Sequence, residues 1–118
     1  ASHTVSQSIE SADGSLVHAL MHRREPDYAN AKYWLRRAGR HPSFLKLAVD
    51  AEELLARLGD TELQTRLLPN RTWDAFAFVE AVEDAVQGRF KAKVATLEQL
   101  QRLEFEALLE NLANRLAS

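Results

Sequence analysis

Cysteine is absent from all 118 residues. That excludes a disulfide framework, a thiolate metal site and a cysteine nucleophile. Glycine is scarce as well. Gly14, Gly39, Gly59 and Gly88 stand alone, so no glycine-rich loop is available to cradle a phosphate. No G-x-S-x-G string occurs, which removes the usual serine-hydrolase elbow. No apolar run approaches the roughly 20 residues that span a bilayer, and no signal-peptide core is visible in the sequence. Together these absences lead to the expectation of a cytoplasmic setting. No window alternates apolar and polar residues with a period of two, so strands are not expected.

What remains is helical punctuation. Hydrophobic residues make up 46% of the chain, an ordinary share for a globular fold. A chain of this length can bury roughly two thirds of its unfolded surface as one domain. Residues 1–14 are rich in Ser, Thr and Gln and read as a loosely ordered arm, leaving 15–118 as a single helical domain. Ser15 offers an N-cap for a helix over 16–24, with Leu16, Leu20 and Met21 along one side. Pro26 stops it. A second helix, opened by Asp27 or by Glu25 with Pro26 at its first position, runs to Ala38, where Gly39 ends it.

Phe44 to Leu58 form a third helix, closed by Gly59. Asp60 caps a short fourth helix that Pro69-Asn70 terminates. Thr72 or Asp74 opens a fifth, running up to Gly88, with Phe76, Val79, Val82 and Val86 as its apolar stripe. The last and longest helix, Val94 to Leu116, carries Leu97, Leu100, Leu103, Leu108, Leu109, Leu112 and Leu116. The expected fold is all-α, a single-domain bundle of five or six helices.

Net charge is −2, but it is unevenly spread. From His22 to Lys46 there are seven Lys or Arg against two acids, a balance of +5, which leaves −7 for the rest. A basic patch on an acidic body attracts an acidic protein surface or a small anionic ligand. The negative total and the lack of any recognition motif argue against nucleic acid. The same clustering is also what a solvated helix face looks like.

The chemistry concentrates in Leu16 to Pro42, which reads as two short helices meeting at Glu25-Pro26-Asp27. His18 and His22 stand four apart, so both imidazoles project from one helix face. Two ligands so spaced suit one divalent transition metal, with Glu25, Asp27, His41 or the more distant Glu104 as a third. Position 19 is Ala, so the general base of an H-E-x-x-H metalloprotease is missing. In a hairpin the same pair would instead bond polar groups of the second helix. Tyr33, Trp34 and Arg37 could line a pocket for an anionic or aromatic ligand. Helical spacing pairs Tyr33 with Arg37 and Trp34 with Ala38, so the two rings should not both face one pocket. Asn30 reads as an early-helix residue bonding locally. The acids of the last two helices lack the Glu-x-x-His spacing of a di-iron bundle.

Ala19 and His22, then Pro26-Asp27-Tyr28, then Ala31, Leu35 and Ala38, then Pro42 fall at the offsets of one tetratricopeptide repeat. The segment over 16–42 resembles such a helix-turn-helix unit, with no second copy about 34 residues on. The resemblance implies a single hairpin embedded in a helical bundle, with the three second-helix positions packed. The HxxxHRxE and NAxYWxRRAG strings are similar to helical proteins of bacteria, a likeness that implies no activity.

The expected function is therefore an interaction or binding module without a cofactor, presenting a basic, aromatic hairpin surface. Its expected binding residues are His18, His22, Asp27, Asn30, Tyr33, Trp34, Arg37 and His41. The alternative is a divalent-metal protein or metal-dependent enzyme using His18 and His22.

Overall fold

A computed structural model of the chain describes the backbone of residues 2–117 and the side chains of 12–117. The arm expected at 1–14 falls mostly on residues whose side chains lie outside that description. The fold is all-α: six helices and two short 3-10 turns, with no strand among the described residues. The described residues include no helix long and apolar enough to cross a membrane. Two compact units divide the chain, Ala1–His41 and Pro42–Ser118.

The first unit is a hairpin of α1 (Ser2–Arg24) and α2 (Tyr28–Ala38), packed against one another in antiparallel sense. α1 begins well before the Ser15 cap expected from the sequence. Ser15 lies inside the helix and is buried, so it is a small packing residue rather than a cap. α1 stops at Arg24 ahead of Pro26, as proline sterics require. Asp27 caps α2 by accepting from the Asn30 N–H, which settles the choice between Asp27 and Glu25 as the start. Leu16, Ala19 and Leu20 of α1 and Ala31, Leu35 and Ala38 of α2 are buried. The small residues at 19, 31 and 38 let the backbones approach closely.

Two α1 residues depart from expectation. Met21 is 52% exposed, so it does not share the buried side of Leu16 and Leu20. Arg23, counted above in the basic patch, is buried at 4% exposure and contributes nothing to the surface.

The second unit contains α3 (Ser43–Leu58), α4 (Thr61–Leu67), α5 (Ala75–Val86) and α6 (Val94–Ala117). Its caps follow the local rules. Asp60 accepts from the Leu63 N–H at 3.0 Å and Asp74 from the Ala77 N–H at 3.0 Å. Gly59 ends α3 in the left-handed conformation, φ 68°, and its N–H reaches the last turn of the helix. α3 and α6 run antiparallel, tied at one end by Lys46 and Glu110. Leu47, Ala51, Leu55, Leu63, Leu67, Phe78 and Leu100 form the centre of the core, each essentially without exposure. Burying a side chain of this size contributes about 1.5–3 kcal/mol.

The expected stripe of α5 is corrected here. Phe78, not Phe76, fills the core, and Val86 points outward at 63% exposure. On α6, Leu97, Leu100 and Leu108 are buried, whereas Leu109 and Leu116 stand exposed at 63% and 88%. Three-residue and four-residue steps both keep a side chain on one helix face. Which of two neighbouring apolar residues turns inward depends on the helix opposite.

Buried and half-buried charges in this unit find partners. Asp84 holds Arg66 at 2.8 Å and Arg89 at 2.8 Å, joining α4 to the end of α5. Hydrogen bonds from Arg89 and then Arg66 hold its carboxyl below the ordinary aspartate value. Asp60 receives Lys93 at 2.7 Å. Burial pushes Asp60 up, but the Lys93 ammonium and the Leu63 N–H outweigh it, so the net shift is downward.

Candidate functional site

The proline corner and the antiparallel packing of α1 on α2 draw the expected residues into three neighbourhoods along the hairpin. At the corner, Asp27 is the organising group. Asn30 Nδ2 donates to Asp27 Oδ2 at 2.7 Å, and His22 Nδ1 lies 3.6 Å from the same oxygen. The Asn30 hydrogen bond is the main reason the Asp27 carboxyl sits below its ordinary value, against a smaller opposing effect of desolvation. His22 Nδ1 is shielded from solvent and makes no hydrogen bond.

Midway along the hairpin, aromatic and cationic groups stack. The His18 ring lies on Trp34, with centroids 4.5 Å apart and planes within 20°. His22 continues the stack 6.5 Å beyond His18. Trp34 meets Tyr33 edge-on at 5.2 Å and 83°. The Arg37 guanidinium stands 5.6 Å from the Trp34 centroid and 5.8 Å from that of Tyr33, and donates to the Tyr33 hydroxyl at 3.3 Å. Spacing alone allowed Arg37 only one of these rings. The edge-on geometry lets one guanidinium serve both, an arrangement worth about 0.5–1 kcal/mol per exposed cation–π contact.

His41 goes elsewhere. It is buried, and its Nε2 bonds Asp13 Oδ1 at 2.6 Å, linking the chain after α2 to the middle of α1. Asp13 was not singled out by sequence reasoning. It falls within the residues 1–14 read as an arm, ahead of the helix expected over 16–24, and only the longer α1 brings it opposite the end of α2.

Those positions bear on the metal alternative. Among the described residues, no group of three or more His, Asp or Glu side chains is disposed to hold a metal ion. His18 presents its ring to an indole, Asp27 holds Asn30 and approaches His22, and His41 is engaged by Asp13. Glu25 is exposed at the corner, and Glu104 is buried on α6.

The electrostatics of the hairpin differ from those of the second unit. Arg24, Arg36, Arg37 and Arg40 are all exposed. Arg24, Arg36 and Arg40 make no ion pair among the described residues, whereas Lys46, Arg66, Arg71, Arg89 and Lys93 each hold a carboxylate. Counting residues 1–41, six Lys or Arg against four acids give +2; residues 42–118, with nine against thirteen, give −4. Tyr33, Arg36 and Arg37 share the outer face of α2, at steps of three and four, and Arg40 follows just past its end. Arg24 lies apart, at the corner end, roughly 12 Å along the axis from Arg36 by helical rise.

No family model, curated protein or solved structure matches this chain.

Proposed function

We propose that this protein is a helical interaction module whose hairpin docks an acidic protein surface. The observation that carries this reading is the set of arginines that hold no acid among the described residues, beside a half-exposed Tyr33–Trp34 pair. Arg36, Arg37 and Arg40 form the centre of the docking face, and Arg24 extends it at the far end. Arginine forks suit carboxylates bidentately, and the fixed rings offer contact area at little entropic cost. Arg37, already held over both rings, is preorganised, so less side-chain entropy is lost when it engages a partner. The single tetratricopeptide-like hairpin over 16–42 belongs to the same reading, as the scaffold that presents this face.

The test is capture of a fluorescent Glu-rich peptide, followed by anisotropy at low and raised salt. Binding should weaken as the Debye length contracts from about 10 Å at 0.1 M to about 3 Å at 1 M. The double variant Arg36→Glu, Arg37→Glu should abolish it while leaving helicity intact. Capture that ignores both salt and the charge reversals rejects the basic docking face.

A further inference from the structure

An acidic surface of the kind the hairpin face would meet is present on the chain itself. α3 and α6 run antiparallel, and the Lys46–Glu110 contact fixes their register. Counting one turn along each helix from that contact places Asp50 level with Glu106. Another turn places Arg102 opposite Leu54 and beside Glu53, so charge is balanced there. It is not balanced at the Lys46 end. Three carboxylates, Asp50, Glu106 and Glu110, share the single ammonium of Lys46, which lies 2.9 Å from Asp50 and 3.4 Å from Glu110. Glu106 makes no ion pair among the described residues, not even with Arg102 one turn away. Three acids against one lysine leave this patch at −2.

Exposed apolar groups border the same patch. Leu45 and Val49 stand one turn apart on α3 at 78% and 64% exposure, next in the chain to Lys46 and Asp50. The hairpin face has the opposite charge and a similar composition: Arg36, Arg37 and Arg40 beside the half-exposed ring of Tyr33. Neither face is neutralised by the chain that carries it.

We propose that the acidic surface docked by the hairpin is this α3–α6 patch on a second copy of the chain. The proposal rests on the docking reading above and names its partner. The guanidiniums of Arg36, Arg37 and Arg40 meet the carboxylates of Asp50, Glu106 and Glu110, and Tyr33 lies against Leu45 and Val49. The two faces differ, so the contact is head to tail. Each added copy leaves one face of each kind open at the ends, and growth passes the dimer unless it closes into a ring. Complementary charges of this exposed kind steer encounter and fix register more than they add affinity, so the association is weak and salt-sensitive.

The experiment is analytical ultracentrifugation of the full chain from micromolar to millimolar concentration. Mass should rise past the dimer at low salt and return to the monomer in 1 M salt, where the Debye length is about 3 Å. A hairpin variant, Arg36→Gln with Arg37→Gln, and a body variant, Glu106→Gln with Glu110→Gln, should each associate about tenfold more weakly than the parent chain. All four side chains are exposed, and unchanged circular dichroism verifies that both variants fold. An equimolar mixture of the two variants retains one intact pair of faces, so it should form a complex of two chains and nothing larger. A chain that stays monomeric at millimolar concentration while its hairpin still captures the Glu-rich peptide overturns self-docking and leaves the docking face standing. A chain that neither associates nor captures the peptide overturns both. Association that persists in 1 M salt, or undiminished in either variant alone, also overturns the proposal.

Discussion

Replacing Asp13 by alanine removes the acceptor of a hydrogen bond at 2.6 Å from a histidine whose side chain is wholly buried. Asp13 itself is only 17% exposed, so water compensates little. Hydrogen bonds to a charged group contribute about 1.5–3 kcal/mol net. His41→Ala incurs, in addition, the cavity left by the ring. A double-mutant cycle cancels that extra loss and isolates the pair. The expected coupling between Asp13 and His41 is about 2 kcal/mol. Urea unfolding measures it, and with a slope of roughly 1–3 kcal/mol/M each single variant should shift the midpoint by on the order of 1 M. Trp34 lies in the first unit and Trp73 in the second, so a Trp73→Phe background makes fluorescence report the hairpin alone. A coupling below about 0.5 kcal/mol would refute the reasoning, because it would mean the buried contact is no better than an exposed ion pair.

The two phenylalanines of α5 should separate cleanly: Phe78→Ala costs about 3–5 kcal/mol and Phe76→Ala, at 38% exposure, about 1 or less, by urea or thermal unfolding. Glycine substitutions should differ in sign. Gly14→Ala, inside α1 with open space around its added methyl, stabilises by about 0.5–1 kcal/mol, whereas Gly59→Ala, at φ 68°, destabilises by about 1 kcal/mol. Acid should weaken the second unit through Asp60 and Asp84. Both have folded values below the ordinary aspartate value of 3.8, so their contribution is complete above that pH and is lost as the pH falls beneath it. Asp84→Asn should flatten that acid limb in a stability-versus-pH series, and an unchanged limb would count against the Arg66–Asp84–Arg89 link.

Much of the fold was legible because helix ends are local chemistry. Asp27, Asp60 and Asp74 cap where a short acceptor precedes an apolar run, and Gly39 and Gly59 stop helices where a side chain would be strained. Pro26 broke the first pair of helices for the same reason. Ser15 misled, since a residue with cap chemistry is also small enough to pack inside a helix. The site was half legible: crowding of His18, Tyr33, Trp34 and Arg37 in one hairpin implied contact. Its geometry was not, because Arg37 bridging two perpendicular rings depends on rotamers that residue spacing does not specify.

What the amino-acid order alone determined is the all-α class, the caps and the proline corner, since each depends on a few neighbouring residues. Only tertiary packing decided that Arg23 goes inward while Met21 goes outward, that His41 finds Asp13, and that Phe78 rather than Phe76 enters the core. Those choices depend on which surface the opposing helix presents, and a helical period restricts a side chain to a face without saying what meets it.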